Sequence, residues 1–167
     1  MKTGTSNTIL NAKQIQQKTK RIAFQILEDH LHENEIVIVG IKNSGFAFAE
    51  ALVAQLKEIS SLSIQLGSIS INKRNPIEAL QTSLSIEDYQ DQSVVIVDDV
   101  LNSGATLIYA VRHFLSVPLK QLKTAVLVDR SHKKFPVKAN YKGLSLSTSL
   151  QETVQVKFGK DANVSLY

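Results

Sequence analysis

A chain of 167 residues is long enough to bury one sizeable core, because folding at this length hides roughly 70% of the surface that the unfolded chain exposes. Hydrophobic residues make up 43% of the sequence and charged residues 20%, which excludes the disordered and collagen-like classes. The chain has no Cys, so disulfides, Cys-ligated zinc, iron–sulfur clusters and thiol nucleophiles are excluded as well.

The net charge is +4, from 19 Lys and Arg against 15 Asp and Glu, which suits an anionic ligand or a nucleic-acid surface without choosing between them. The stretch from Met1 to Asn11 has no apolar leader segment, and the apolar runs are far shorter than the ~18 residues of a membrane helix. We therefore expect a cytoplasmic protein with a single domain over residues 1–167.

The first part of the chain alternates between helical and strand patterns. Apolar residues recur at helical spacing from Leu10 to Leu31, and Asn11 can cap the start of that helix. Ile36 to Ile41 is a short run of branched apolar residues, typical of a strand buried on both faces. A second helix is predicted at about Ala47 to Ile59.

The middle of the chain is less regular. Leu62 to Ile71 alternates as a strand does, but the phase slips at Gly67, where we expect a bulge. The polar stretch from Asn72 to Gln92 has no periodicity and is predicted to be a long mobile loop, of the kind that in compact domains is often functional.

The second half repeats the alternation. Val94 to Val97 and Leu122 to Val128 are predicted buried strands, with a helix from about Ala105 to Leu115 between them. Short strands are expected at Leu144 to Ser147 and at Thr153 to Phe158. Alternating strands and helices predict an α/β fold, with a parallel sheet covered by helices on both faces.

In an open parallel sheet the ligand lies beyond the carboxyl ends of the strands, which selects the loops Gly40–Gly45, Asp98–Thr106 and Asp129–Lys134. The middle loop has two adjacent carboxylates followed by small hydroxyl and Gly residues that open a helix. The carboxylates suit sugar hydroxyls or a hydrated Mg²⁺, and the helix N–H groups suit a phosphate. A phosphorylated sugar needs both; the alternative is an acidic strand end and a Ser cap without a ligand.

The other two loops are less specific. In Gly40–Gly45, two glycines bracket a polar tetrapeptide and allow close approach of an anion, while a simple tight turn is the alternative. Phe46 stands where a Walker A loop requires Lys. Asp129–Lys134 could present backbone groups to a flat heterocycle, or be a solvated basic turn.

Val94 to Thr106 resembles the 5-phosphoribosyl-1-pyrophosphate (PRPP) motif of type I phosphoribosyltransferases, in which an apolar strand runs into an acidic pair and a Thr/Ser-Gly-x-Thr turn. The wider sequence is most similar to the pyrimidine-operon attenuation proteins that are also uracil phosphoribosyltransferases. That similarity is carried by Arg21–Ala23, Gly40–Lys42, Gly45, Val97–Leu101 and Ala125–His132, and by Pro136, Val137, Ala139, Tyr141 and Gly143.

The resemblance implies transfer of the phosphoribosyl group from PRPP to a nucleobase, with uracil the first choice. It implies catalytic roles for Asp98 and Asp99, which hold the ribose hydroxyls directly or through Mg²⁺. It places base recognition at Val128, Asp129 and Arg130. It assigns PRPP binding to Lys42, Asn43, Ser44, Gly45, Val100, Leu101, Asn102, Ser103, Gly104, Ala105 and Thr106.

The resemblance also implies a flexible hood at Asn72 to Gln92 that closes over the site, because a reactive oxocarbenium-like sugar must be kept from water. Two cations of the pyrimidine regulators are missing: Asn43-Ser44 stands where they typically carry Thr-Arg, and Ala105 where they often carry Arg. The candidate replacements are Lys42, Lys73 and Arg74.

A regulatory binding protein is the alternative function: a sensor of PRPP or a nucleotide whose surface binds the RNA leader of pyrimidine genes. A basic face for RNA is predicted from Lys13, Lys18, Lys20, Arg21, Arg130, Lys133, Lys134, Lys138 and Lys142, with an ordinary solvated surface as the competing interpretation. Self-association into a homo-oligomer is expected from the family resemblance.

Overall fold

The computed structural model describes residues 6–72 and 74–167. The elements in chain order are β1 (Asn7–Leu10), α1 (Ala12–Asp29), β2 (Glu35–Ile41), α2 (Ser44–Ile59), β3 (Ser63–Ser70), β4 (Gln81–Thr82), α3 (Ile86–Tyr89), β5 (Ser93–Leu101), α4 (Ala105–Phe114), β6 (Gln121–Arg130), β7 (Tyr141–Leu146), β8 (Val154–Lys157) and β9 (Asn163–Leu166).

The larger sheet has six strands in the order β4-β3-β2-β5-β6-β7. Five of these strands run parallel, namely β3, β2, β5, β6 and β7. The two-residue β4 pairs antiparallel with β3 at one edge. The chain leaves β2 toward one edge and leaves β5 toward the other, so the strand order reverses between β2 and β5. In open α/β sheets this switch point is where ligands bind.

Helices cover both faces of this sheet, as the sequence predicts. On one face α1 and α2 bury side chains such as Ile22, Phe48 and Leu52 in a core with the inward residues of β2, β5 and β6. On the other face α3 and α4 bury Tyr89 and Phe114. The α/β class and the helix-covered parallel sheet are therefore confirmed.

The first helix begins as its sequence predicts. Asn11 Oδ1 accepts a hydrogen bond from the backbone N–H of Gln14 at 2.9 Å, and Gln14 Oε1 accepts one from the N–H of Asn11 at 2.9 Å. This reciprocal capping satisfies two N–H groups that a helix start leaves free. Among the described helices, none combines the length and the apolar character needed to cross a membrane.

A second, three-stranded antiparallel sheet has the order β1-β9-β8. It packs against α2 through Phe158, whose ring stacks on Phe48 with centroids 5.9 Å apart. Val156 and Val164 are buried in the same core as α1 and α2. The shared core favours the one-domain interpretation. The sequence predicted β8 and β7 but not β1 or β9.

The segment Asn72–Gln92, predicted to be a long mobile loop, contains two short elements, β4 and α3, while its mobility stays a prediction. Leu84 and Tyr89 are buried, and Ser83 N donates to Ser68 O at 3.0 Å. The predicted bulge at Gly67 is wrong, since β2 and β3 pair in unbroken register. Instead, the missing side chain at Gly67 leaves the space that Leu84 fills.

Candidate active site

The loops that follow β2 and β5 meet at the switch point of the sheet. Pairing between β2 and β5 ends at Gly40 and Val97, so a crevice opens beside Asp98. Gly45, in the first turn of α2, packs directly against Asp98: a β-carbon at position 45 would lie 2.8 Å from Asp98 Oδ1 and 3.0 Å from Val97 O. The glycine therefore allows this close approach.

A cavity of about 200 Å³ lies at the carboxyl end of β5. It is lined by residues 98–107 together with Val126 and Val154. Asp98 and Asp99 are half-buried here. Asp98 Oδ1 accepts from Asp99 N at 2.9 Å, and Asp99 Oδ1 accepts from Val100 N at 2.9 Å. These bonds orient two anionic acceptors at the rim of a polar cavity.

Hydrogen-bond donors lie opposite these acceptors, at the start of α4. The first four N–H groups of a helix have no partner within the helix, and with the helix dipole they favour an anion. Ser103 Oγ accepts from Ala105 N at 3.3 Å, while Ser103 O accepts from Lys134 N at 2.8 Å and from Phe135 N at 3.1 Å. The loop is thus tied to the segment after β6.

Gly104 makes this turn possible. Its φ of +86° lies in the left-handed region, which other residues rarely adopt. A β-carbon there would also lie 2.6 Å from Val137 Cγ1. The predicted PRPP-binding residues from Val100 to Thr106 therefore line one cavity, on a turn whose backbone requires glycine.

A second cavity, of about 540 Å³, lies beside the loop after β2. Asn43 and Ser44 form one wall, and Lys157 and Lys160, from β8 and the turn after it, belong to the opposite wall with Asp161. Sequence reasoning missed these two lysines. The sequence signal for them was weak: two lysines close to the end of a predicted strand, an arrangement that is common on protein surfaces.

Two of the three predicted replacement cations lie in the described part of the chain. Lys42 is exposed, its N–H donates to Ile69 O at 2.9 Å, and its peptide bond to Asn43 is cis. It lines neither cavity. Arg74 is exposed on the segment after β3, and Lys73 lies outside the described residues.

At the end of β6 the predicted base-recognition residues are buried. Val128 belongs to the core. The Asp129 carboxylate lies 3.3 Å from Lys133 Nζ and 3.5 Å from Lys142 Nζ. The Arg130 guanidinium contacts other protein groups. Recognition of a base by these three residues stays a prediction, and it depends on their backbone groups.

A model of the phosphoribosyl transferase domain matches residues 5–159. The chain belongs to this family. The protein is 32% identical to the bifunctional protein PyrR of Haemophilus ducreyi over 160 residues, which cover 89% of this chain and 88% of the relative. It is 31% identical to the bifunctional protein PyrR of Clostridium acetobutylicum, covering 95% of this chain and 96% of the relative.

Solved phosphoribosyltransferases share the fold. A hypoxanthine phosphoribosyltransferase of Trypanosoma cruzi superposes with a TM-score of 0.80, covering 96% of this chain and 95% of the other at 20% identity. A hypoxanthine-guanine phosphoribosyltransferase of Bacillus anthracis gives 0.72 at 26% identity, covering 84% and 82%. The type I phosphoribosyltransferase fold is therefore confirmed.

The acidic pair carries oxygen donors of the kind that Mg²⁺ prefers. Across residues 6–72 and 74–167, no cluster of three or more His, Cys, Asp or Glu side chains is placed to hold a metal. Mg²⁺ does not need such a cage, because it keeps several waters and is held by one or two carboxylates together with substrate phosphates. Metal binding by Asp98 and Asp99 stays a prediction.

Proposed function

We propose that this phosphoribosyl transferase domain protein transfers the phosphoribosyl group of PRPP to N1 of uracil. The bond between C1′ and the pyrophosphate oxygen breaks, the C1′–N1 bond forms, and N1 loses its proton. The products are uridine monophosphate and pyrophosphate. Membership in the family and the similarity to bifunctional PyrR proteins support this reaction.

One observation carries the proposal: two carboxylates and a helix start line the same cavity of about 200 Å³. The N–H groups at the start of α4 hold the 5′-phosphate, because they have no partner within the helix and the helix dipole favours negative charge. Asp98 and Asp99 hold the ribose hydroxyls, either by accepting their hydrogen bonds or by binding a Mg²⁺ that the hydroxyls would also contact. An acidic pair and a helix start on one cavity therefore suit a ribose with a terminal phosphate.

Catalysis in this arrangement depends on positioning and charge. The carboxylates of Asp98 and Asp99 stabilise the positive charge that develops on the ribose as its bond to pyrophosphate lengthens. Mg²⁺, when bound, neutralises charge on the leaving pyrophosphate. We assign the second cavity, which Asn43, Ser44, Lys157 and Lys160 line, to the leaving pyrophosphate. The residues hold both substrates in line for the displacement.

A panel of nucleobases, assayed with PRPP and Mg²⁺, tests the proposal. We expect nucleotide formation with uracil, abolished by EDTA and absent without PRPP. Pyrophosphate is measured in the same assay, and we expect it in an amount equal to uridine monophosphate. A purified, folded protein that converts none of the common bases contradicts the proposed reaction.

RNA-dependent regulation is the second candidate function, and one contact favours it. Arg21 Nη2 on α1 donates to Lys142 O at 3.0 Å and to Gly143 O at 2.7 Å on β7. These two bonds place α1, which carries Lys13, Lys18 and Lys20, next to Lys142 on β7. Arg130 is buried, so its predicted place on this basic face is wrong.

Titration of an RNA from the leader of a pyrimidine operon tests this candidate. We expect affinity that falls steeply with salt, because contacts with phosphates release counterions, and that changes on addition of uridine monophosphate. Arg21→Gln and Lys142→Gln reduce it. Binding that is absent or independent of salt contradicts the regulatory function. Self-association stays a prediction, which sedimentation velocity measures.

A further inference from the structure

Arg130 is the last residue of β6, at the carboxyl edge of the sheet, and only 9% of it is exposed. A buried cation is unfavourable unless its N–H groups are paired. Here each nitrogen of the guanidinium donates to an oxygen of the protein. The four acceptors are Asn102 Oδ1 (2.9 Å), Thr148 Oγ1 (2.9 Å), Ser149 O (3.3 Å) and Glu152 O (2.8 Å).

These acceptors lie on two different segments of the site. Asn102 belongs to the loop that lines the phosphate cavity. Thr148, Ser149 and Glu152 belong to the segment between β7 and β8, which crosses the carboxyl edge of the sheet to reach Val154 on the cavity wall. The Arg130 guanidinium thus links the loop that lines the phosphate cavity to the segment that leads to Val154.

The segment on the far side of Arg130 is itself fixed. His132 Nε2 donates to Thr148 O at 2.6 Å, and Glu152 Oε2 accepts from Ser149 N at 2.6 Å. Two hydrogen bonds lower the pKa of the Glu152 carboxyl: the one from the Ser149 backbone has the larger effect, and the one from the Ser149 side chain the smaller. The carboxyl is therefore ionised near neutral pH. Arg130 therefore connects the phosphate loop to a turn that is already constrained.

We propose that Arg130 is a positioning residue that holds Asn102 and the phosphate loop in place for the 5′-phosphate of the substrate. This inference rests on the proposed function and assigns the side chain a role other than base recognition. The guanidinium is buried, and its three nitrogens already donate to protein oxygens. The planar geometry matters more than the charge, because one ammonium group cannot reach acceptors on both segments.

A general structural role is the competing explanation. In that case, loss of any Arg130 partner lowers stability and weakens every ligand alike. A positioning role predicts instead that only the partner on the phosphate loop affects phosphate binding. Asn102→Ala and Thr148→Val separate the two explanations, because each removes one acceptor, from the phosphate loop and from the opposite segment respectively.

Calorimetric binding of ribose 5-phosphate with Mg²⁺, together with KM values for PRPP and uracil, provides the test. We expect Asn102→Ala to weaken ribose 5-phosphate and raise the KM for PRPP about tenfold, with the KM for uracil changed less than threefold. Thr148→Val changes ribose 5-phosphate binding less than threefold. Arg130→Gln weakens it at least as much as Asn102→Ala, and Arg130→Lys does not restore it.

The double variant Arg130→Gln/Asn102→Ala decides whether the two residues act together. We expect Asn102→Ala to add less than threefold once Arg130 is absent. Fully additive losses, restored binding in Arg130→Lys, or equal losses for Thr148→Val and Asn102→Ala overturn the proposal. If the Arg130 variants do not fold, equal losses for Thr148→Val and Asn102→Ala still overturn the proposal.

Failure of the proposed function has a different result. A wild-type protein that binds ribose 5-phosphate but converts no base with PRPP contradicts the proposed reaction. In that case the Arg130 proposal can still be tested by ribose 5-phosphate binding. A wild-type protein that forms uridine monophosphate but binds no ribose 5-phosphate overturns the Arg130 proposal alone.

Discussion

Replacing Gly45 with alanine perturbs the closest approach between the two substrate loops. The added β-carbon would lie 2.8 Å from Asp98 Oδ1, and 3.0 Å from both Asp98 Cα and Val97 O. Ordinary contacts begin at 3.4 Å, so the shortest of these distances must grow by about 0.6 Å. Two of the three atoms belong to the backbone and cannot rotate away. The start of α2 and the strand end must therefore separate.

The expected effects on activity and on stability are of similar size. Forcing one extra methyl group into a packed site destabilises a protein by about 1–3 kcal/mol. A shift of about 1 Å in a catalytic arrangement lowers turnover roughly 100-fold. For a displacement of about half that size we expect kcat/KM for PRPP to fall about 10- to 100-fold.

Steady-state kinetics with varied PRPP, together with urea unfolding, measure both effects. Ala54→Gly is the matched control, since it lies on an exposed face of the same helix and lowers stability by about 1 kcal/mol without touching the site. The control should keep wild-type kinetics. A Gly45→Ala protein with kcat/KM within twofold of wild type would refute the reasoning that these loops form one site.

Three further predictions follow from the same structure. Asp99→Asn removes a charge from the cavity and should lower kcat roughly 100-fold or more while the melting temperature stays within a few degrees of wild type, as measured by product formation and calorimetry. Gly104→Ala should destabilise the protein by about 1–3 kcal/mol in urea unfolding and weaken PRPP, because the positive φ and the contact with Val137 both oppose a side chain. Burial lowers the pKa of His113 below its usual 6.5, so the unfolded state binds the proton more readily, and the free energy of unfolding should fall as the pH drops below about 6.5. His113→Phe should reduce this dependence, and an unchanged slope between pH 7.5 and 5.5 would contradict it.

The sequence was most informative where the signal was local. The apolar run at Ile36–Ile41 and the periodic helix after Asn11 gave the correct elements, because burial on both faces and amphipathic packing each leave a recognisable spacing. The strands β1 and β9 were missed. Each has four residues and exists through pairing between the two ends of the chain, which no local pattern encodes.

The two short elements within Asn72–Gln92 were missed for a related reason. Two apolar residues, Leu84 and Tyr89, anchor this segment, and one of them fills a space left by Gly67 on a neighbouring strand. Such a fit between distant positions cannot be seen in a polar stretch without periodicity.

The candidate site shows the same division. Residues 98–106 are contiguous, so the carboxylates and the phosphate-type turn could be predicted from one stretch of sequence. Lys157 and Lys160 reach the site only because the small sheet folds back onto α2 through Phe158. The partners of Arg130 are 18 to 28 positions away in the chain, and therefore depend on the tertiary fold.

A crystal structure with bound uridine monophosphate tests the central claim most directly. We expect phosphate oxygens within about 2.7–3.2 Å of backbone nitrogens of residues 103–106, with the ribose hydroxyls directed toward Asp98 and Asp99. A nucleotide that binds elsewhere, or a ribose turned away from both carboxylates, would contradict the claim that this acidic pair and the turn after it hold a phosphorylated ribose.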